Sequence, residues 1–381
     1  MKRIYIVGAG IMQVPVIQEA KRLGYQVIAS DGNLNAEGFK FADVSLHIDT
    51  LDLEGNLNAV FESKIDGIIT TSDLPVRTVA HICEILLVPG LSKNSALLST
   101  NKYLLRKELS ARGLITPQFR KFTMFDHKTI VELFKFPFII KPVDSSASRG
   151  VSLVRNENEL VNAFLEAKEY SKSGDIICEE YIEGREFSVE SLTQNNNTTV
   201  IAITEKFTKG IDHKYFVEDR HIIPASVNEA EYLLIEQTAK EALKIIGLNN
   251  SASHTELKIN NKGAVIIEIG ARLGGDYITS DLVPLSTGVN MIKNIIQIAV
   301  GEPIEINRTL KRHAGVQFAN SDNYKLVEKH LQNIKENPST FRFNLEKYDS
   351  FRTLKNSLDR LGYYICTADS REALLKILDY K

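Results

Sequence analysis

The sequence predicts an α/β protein that opens on a parallel, doubly wound sheet. Strand-like and helix-like stretches alternate over residues 1–92, and such alternation lays helices on the faces of a parallel sheet. A second observation shows where the chemistry gathers. The stretch His254 to Asp276, HTELKINNKGAVIIEIGARLGGD, carries acids on two short neighbouring runs separated by a turn.

Taken in order, Ile4–Val7 is an apolar strand followed by the Gly8-Ala9-Gly10 turn, then a helix with Val14, Ile17 and Leu23 on its apolar face. Val27–Ala29 ends at Asp31, and Val44–Ile48 and Gly67–Thr71 supply further strands. Gly8-x-Gly10 with Asp31 is a partial dinucleotide fingerprint, but Gln13 stands where the third glycine belongs. A tight βα turn needs only the two glycines, and a turn at this end of a sheet can also border a substrate site. Asp73, just past Ile68–Thr71, sits at such an end and is a substrate-contact candidate.

Ser99-Thr100-Asn101-Lys102 opens a helix, capped by Ser or Thr, that runs to about Arg112 and stops at Gly113. Thr116-Pro117 starts a new unit, and Phe136–Pro142 is a strand bracketed by prolines with Lys141 at its end. Asp144–Val151 is a small-residue loop rich in free amides, able to fold over phosphate oxygens beside a lysine. It lacks the Walker A spacing. A helix over Glu157–Ser171 precedes a strand, Asp175–Cys178, that runs on through Glu179–Glu190. There Phe187 and Val189 alternate with Glu186, Ser188 and Glu190, the pattern of a strand with a solvated acidic face. Asn195–Asn197 turns the chain, Thr199–Glu205 returns as a strand, and Ala230–Ile246 is a long amphipathic helix. Beyond Asp276 come a helix near 290–300, strands at Ala314–Phe318 and Tyr363–Cys366, and helices at Tyr324–Glu336 and Ser370–Leu378.

With 381 residues, 43% apolar and 25% charged, the chain is an ordinary globular sequence of two or three domains. A net charge of −2 gives no electrostatic case for nucleic acid or an anionic membrane as partner. The local basic group Lys102, Arg106, Lys107 suits a small anion. There is no signal-peptide pattern, no run approaches the length of a membrane span, and Cys83, Cys178 and Cys366 are scattered. These features predict a cytoplasmic protein without disulfides or a zinc cluster.

In the acidic stretch, Asn261-Lys262-Gly263 reads as a three-residue hairpin loop. That register sets Leu257 opposite Ile267 and Ile259 opposite Val265 on one side, and Glu256 opposite Glu268 on the other. Two carboxylates opposed across a hairpin repel. A divalent cation between them removes the conflict, and oxygen-only ligands favour Mg²⁺ or Mn²⁺. The alternative is a solvent-facing strand side with the register displaced by one. Gly270-Ala271-Arg272-Leu273-Gly274-Gly275 then turns the chain and brings an arginine beside the metal candidates. His254, two residues before Glu256, is a partner for that carboxylate or a histidine packed in a polar core.

Lys102, Lys141 with its small-residue loop, Glu179–Glu186, and Glu256…Glu268 with Arg272 together resemble the ATP-grasp superfamily, in the order and spacing of its carboxylate–amine ligases. The resemblance covers essentially the whole chain. It implies an ATP-grasp fold with a Rossmann-like first domain and connecting helix (1–113), a lid (114–187), a central part with the metal site (188–306) and a small C-terminal subdomain (307–381). It implies that Lys102 and Lys141 hold ATP phosphates and that the loop with Ser145, Ser146, Ser148 and Gly150 covers them. Glu179, Glu180, Tyr181 and Ile182 would meet adenine, partly through backbone, and Glu186 the ribose. Glu256 and Glu268 would bind one or two Mg²⁺, and Arg272 and Lys141 would act in catalysis. Many members carry Asn two residues after the second metal Glu; here Gly270 stands there, in an EIGAR-then-GG form that looks like the amino-acid and dipeptide ligase branch.

The expected activity is ATP-dependent conversion of a small-molecule carboxylate to an acyl-phosphate, then coupling to an amine, in a chain that can form a homodimer. Asp73, Gly274, Gly275, Asp276 and Tyr277 are substrate candidates, with Ser280 and the 205–221 region (Lys206, His213, Arg220, His221) beside them. The competing readings are a purine-pathway carboxylase or formyltransferase relative, a nicotinamide-dependent oxidoreductase, and a non-catalytic nucleotide-binding protein.

Overall fold

The computed structural model describes residues 1–208, 215–348 and 354–380. The first part is the expected parallel sheet. Strands β1 (Arg3–Val7), β2 (Gln26–Asp31), β3 (Val44–His47) and β4 (Gly67–Ile69) lie in the order β3-β2-β1-β4. They carry α1 (Val14–Arg22), α2 (Leu53–Ser63) and α3 (Val76–Leu86). Gln13 tucks against the Gly8–Gly10 turn and donates to the Thr71 hydroxyl at 3.2 Å. Asp31 accepts from the Ala9 and Asn33 amides. The carboxylate a dinucleotide ribose would need is therefore spent on its own turn.

Two helices, α4 (Lys93–Ser99) and α5 (Lys102–Ala111), lead onward. The cap of α5 is Asn101, whose side chain accepts from the Leu104 amide, rather than Ser99 or Thr100. Those two residues close α4 instead, where Thr100 returns its hydroxyl to the Ala96 carbonyl.

A four-stranded antiparallel sheet follows: β5 (Phe119–Phe122), β6 (Phe138–Pro142), β7 (Ser152–Val154) and β8 (Ile176–Glu180), ordered β5-β8-β6-β7. The helices α6 (His127–Leu133) and α7 (Glu157–Tyr170) pack on it through Ile130, Leu160 and Phe164. Each buried side chain of that size contributes about 1.5–3 kcal/mol.

The largest sheet has eight strands in the order β13-β12-β9-β10-β11-β14-β16-β15. Its first members are β9 (Arg185–Gln194), β10 (Asn197–Thr208) and β11 (Glu218–Ile223), with α8 (Glu229–Ile245) on one face. The hairpin β12 (Ser251–Asn260) and β13 (Gly263–Gly270) forms one edge. After α9 (Val283–Thr287) and α10 (Met291–Ala299), β14 (His313–Ala319), α11 (Tyr324–Ile334), β15 (Thr340–Leu345), β16 (Gly362–Ala368) and α12 (Arg371–Leu378) complete the chain. Strands from the last range thus extend the same sheet, and β11 and β15 are additions to the strands expected from sequence.

The face with Phe187 and Val189 packs against Ile235, Ala239 and Leu243 of α8, as the alternation predicted. The opposite face is not solvated: Ser188 and Glu190 are fully buried. Glu186 lines the functional site and Glu190 is buried beside it against His254, a setting that alternation alone does not report.

Candidate functional site

The acidic hairpin sets Glu256 directly opposite Glu268. The route to that register differs from expectation. Asn260 pairs with Gly263, so the turn is only Asn261-Lys262, and a bulge between Glu256 and Leu257 admits one extra residue on β13. Leu257 consequently faces Ile266, and Ile259 faces Ala264. Ile267 is the extra residue; it lines a cavity instead of joining Leu257 in the core.

Two cavities meet at this carboxylate pair. The smaller, about 120 Å³, lies between the four-stranded sheet and the hairpin and is lined by Lys102, Lys141, Ser145, Ser146, Ser148, Glu179, Glu180, Tyr181, Ile182 and Glu186. Ile139, Ile182 and Ile267 give it apolar walls, suited to a flat ring. The larger, about 630 Å³, is bordered by the first βα turn, Asp73, Arg272, Gly274, Gly275, Asp276, Tyr277 and Ser280. Ser146, Ser148, Glu218, Glu256 and Glu268 line both. Gly150 lines neither; a Cβ there would meet Pro142 and Tyr170, so it lets the loop close onto its base.

Lys102 and Lys141 both line the smaller cavity. Lys102 Nζ donates to the Ser145 carbonyl and reaches Glu268 at 3.3 Å. Lys141 Nζ lies 2.6 Å from Glu179. Burial pushes the Lys141 pKa down; Glu179 opposes this, while Arg106 and Lys102 add to it. The Glu179 carboxylate is therefore turned to cations, leaving its backbone for a ring. Arg106, one helical turn beyond Lys102, is fully buried. Its Nε lies 2.9 Å from Glu179, and Nη2 donates to the Ile267 carbonyl at 2.7 Å. Tyr181 stacks on Phe216 with Lys258 over both rings, and Glu186 pairs with Lys206 and Lys258. The Asp144 carboxylate accepts from Ser171, Lys172 and Ser173 and so anchors the base of the small-residue loop.

Glu256 is held by Lys206 at 2.5 Å and by His254 Nε2 at 3.1 Å. Burial alone would raise its pKa, but Lys206 and His254 hold it well below the usual carboxylate range. On its other nitrogen His254 meets Glu190 at 2.7 Å. Burial works against its protonation, yet Glu190 and Glu256 bring its pKa up to about 9. Among the described residues no group of three or more His, Cys, Asp and Glu could enclose an ion. Glu256 and Glu268 instead fit a Mg²⁺ that takes two protein carboxylates and completes its shell with phosphate oxygens and water.

Arg272 forms a two-pronged pair with Asp73, 2.8 and 2.9 Å, which joins the end of β4 to the exit of the hairpin. Burial opposes ionisation of Asp73, and Arg272 overcomes it, keeping the carboxyl below its ordinary range. The guanidinium lies where a side chain at Gly270 would project, 3.2 Å from that Cβ position. A Cβ on Gly274 would lie 2.6 Å from Glu190 and 2.9 Å from His254. Asp276 is gripped by Arg360 at 2.8 Å and His221 at 3.3 Å. Tyr277 stacks on Tyr363 at 4.0 Å between ring centres.

Of the 205–221 candidates, Lys206 and His221 border the larger cavity, whereas Arg220 turns away to Gln317 and Asp379. His213 lies outside the described residues. The reading from sequence placed Arg106 in a basic group suited to a small anion but gave it no role in the site, and it missed Glu190 and Arg360. Arg106 carried a signal, four residues after Lys102 on one helix face. Glu190 was masked by its alternation with core residues. Nothing local marks Arg360, which comes from far along the chain.

Residues 134–281 match the family described as ATP-grasp domain. The chain is 31% identical over 246 residues to a formate-dependent phosphoribosylglycinamide formyltransferase from Bacteroides thetaiotaomicron, covering 61% of each. It is 27% identical over 235 residues to the alanine–anticapsin ligase of Bacillus subtilis, covering 55% of this chain and 49% of that one. The chain thus spans about half to under two thirds of the length of these relatives. The L-amino acid ligase structure from Bacillus licheniformis superposes with a TM-score of 0.80 at 23% identity, over 99% of this chain and 96% of the other. Other solved structures of this fold carry ADP or MgADP. The chain thus carries an ATP-grasp domain over residues 134–281, within a fold it shares with these structures along nearly its whole length.

Proposed function

We propose that the chain is an ATP- and Mg²⁺-dependent ligase that activates a small-molecule carboxylate as an acyl-phosphate and couples it to an amine. One observation carries the reading: a slot with apolar walls and a larger cavity share the Glu256–Glu268 pair at their junction. A nucleotide in the slot would present its terminal phosphate to a substrate in the larger cavity. Phosphoryl transfer asks a protein mainly for position and charge. Lys102 and Lys141 would hold phosphates under the loop of Ser145, Ser146 and Ser148, while the backbone of Glu179–Ile182 meets adenine and Glu186 the ribose. Bound by Glu256 and Glu268, Mg²⁺ would neutralise phosphate charge.

Arg272 would exchange part of its pairing with Asp73 for the transferring phosphoryl group. The substrate carboxylate oxygen attacks the γ-phosphorus and ADP leaves; the amine then attacks the acyl carbon and phosphate leaves. Closure of the small-residue loop would keep water from the intermediate. Asp73, Gly274, Gly275, Asp276 and Tyr277 would shape the acceptor side.

The relationship to a formyltransferase of purine chemistry favours a second reading, in which the larger cavity takes a ribonucleotide. Against it, the first βα turn presents Ile11 and Met12, both exposed, to that cavity rather than basic groups. The test is phosphate release from ATP and Mg²⁺ against amino acids, other carboxylates and ribonucleotide amines, singly and in pairs. A carboxylate labelled with heavy oxygen should pass label to the released phosphate. Release without label transfer would sink the acyl-phosphate reading, and release only with a ribonucleotide amine would select the second.

A further inference from the structure

Arg106 reaches neither cavity, yet it touches three parts of the site. It sits on α5 with Lys102, its Nε faces Glu179 on β8, and its Nη2 holds the Ile267 carbonyl on β13, next to Glu268. Two cations divide one carboxylate: Lys141 takes Oε2 at 2.6 Å and Arg106 stands 2.9 Å from Oε1. All three side chains are buried. Arg106 Nη2 also donates to Glu179 Oε2 at 3.4 Å, whereas Nε and Nη1 have no aligned hydrogen-bond acceptor among the described residues, so the Nε contact with Oε1 contributes charge more than bonding.

We propose that Arg106 is a positioning residue for phosphate binding: by sharing Glu179 it leaves the charge of Lys141 available to the nucleotide. The inference rests on the reading of Lys141 as a phosphate ligand. With Lys141 protonated, the trio carries one net positive charge, and Lys141 is its cationic member on the cavity wall, beside Glu179. Without Arg106, Glu179 and Lys141 form a closed neutral pair, and a phosphate must compete with a buried carboxylate for the same ammonium. An uncompensated charge at this depth is little screened by solvent. Arg106 therefore acts on phosphates without contacting them. Its bond to the Ile267 carbonyl fixes the same guanidinium to the metal-binding hairpin.

A purely structural role and this electrostatic one predict different patterns. The full-length chain is titrated calorimetrically with adenosine and with ADP plus Mg²⁺, as wild type, Arg106→Gln and the double variant Arg106→Gln/Glu179→Gln. Arg106→Gln should weaken ADP about tenfold or more, the loss of one charge-assisted contact, and change adenosine by less than about twofold. The double variant removes the competing carboxylate and should recover most of the ADP affinity lost by Arg106→Gln. Arg106→Lys, which keeps the charge, should lie near wild type.

Unchanged ADP affinity in Arg106→Gln, or a double variant weaker than the single one, overturns the proposal. Equal losses for adenosine and ADP overturn it too, because they mark a distorted pocket. If Arg106→Gln does not fold, the double variant decides alone, since it strands no charge. ADP affinity within about tenfold of wild type supports the proposal, and adenosine binding without ADP binding refutes it. A wild-type chain that binds neither ligand refutes the nucleotide reading itself, an outcome distinct from the others.

Discussion

Replacing Glu268 by alanine should remove ATP turnover and leave the fold standing. Both halves follow from the position of the side chain. Glu268 is one-third exposed, and its ion pair with Lys102 spans 3.3 Å, so the pair contributes about 0–1 kcal/mol at most. Its removal also relieves the repulsion from Glu256 across the hairpin, a gain of similar size, about 0.2–1 kcal/mol. The two changes oppose each other, and net stability should move by less than about 1 kcal/mol, a shift of a few degrees at most in unfolding temperature for a chain this long. Turnover should fall on the order of a hundred- to a thousandfold, the loss seen when one preorganised electrostatic group is withdrawn from a transferring centre. Thermal unfolding and a coupled ADP-release assay at saturating ATP and Mg²⁺ read the two halves separately. A folded variant that keeps turnover within about tenfold of wild type would remove the metal role of Glu268. A large fall in unfolding temperature would make the residue structural.

Three further substitutions probe the surrounding charges. Lys141→Ala should weaken a non-hydrolysable ATP analogue about tenfold or more, read by equilibrium titration; unchanged affinity would move the phosphate contact elsewhere. Glu190→Ala should cost about 3–5 kcal/mol in urea unfolding, because it strands the buried His254 cation beside Glu256. A cost under about 1 kcal/mol would show that Glu256 and water suffice for that imidazole. Gly274→Ala places a Cβ 2.6 Å from the Glu190 carboxylate, itself fully buried. It should lower stability by about 1–3 kcal/mol and disturb the His254–Glu256 contact, so full stability with full activity would refute the close-packing argument.

The parallel sheet was readable because its strands are short apolar runs between glycine turns and amphipathic helices, a local pattern. That Lys102, Lys141, Glu256, Glu268 and Arg272 gather around adjoining cavities was readable because each sits at the end of such an element or on a hairpin. What escaped was set by distant contacts. Asn101 rather than Ser99 or Thr100 caps α5, since α4 runs straight to Ser99 and consumes those residues. Glu190 looked solvated because alternation reports only that two faces differ, not that the second is roofed by another part of the chain. His254 bridges Glu190 and Glu256, so it is both the partner of a candidate metal ligand and a buried histidine, two readings that sequence had set as rivals.

The hairpin shows how a correct pairing, Glu256 opposite Glu268, can come from an incorrect register. Three loop residues were expected, and the chain uses two; left alone, that difference would slide every pair on β13 by one and turn Glu268 to the opposite face. The bulge after Glu256 adds one residue on the same strand, so the shift is confined to the outer half of the ladder. Between turn and bulge, Leu257 meets Ile266 in the core and Ile267 is released toward the smaller cavity. That release does two jobs: its side chain becomes an apolar wall, and its carbonyl accepts from Arg106. The same irregularity that defeated a prediction from pairing rules thus brings the buried guanidinium to the carboxylate hairpin, and links Lys102 and Lys141 to the candidate metal site.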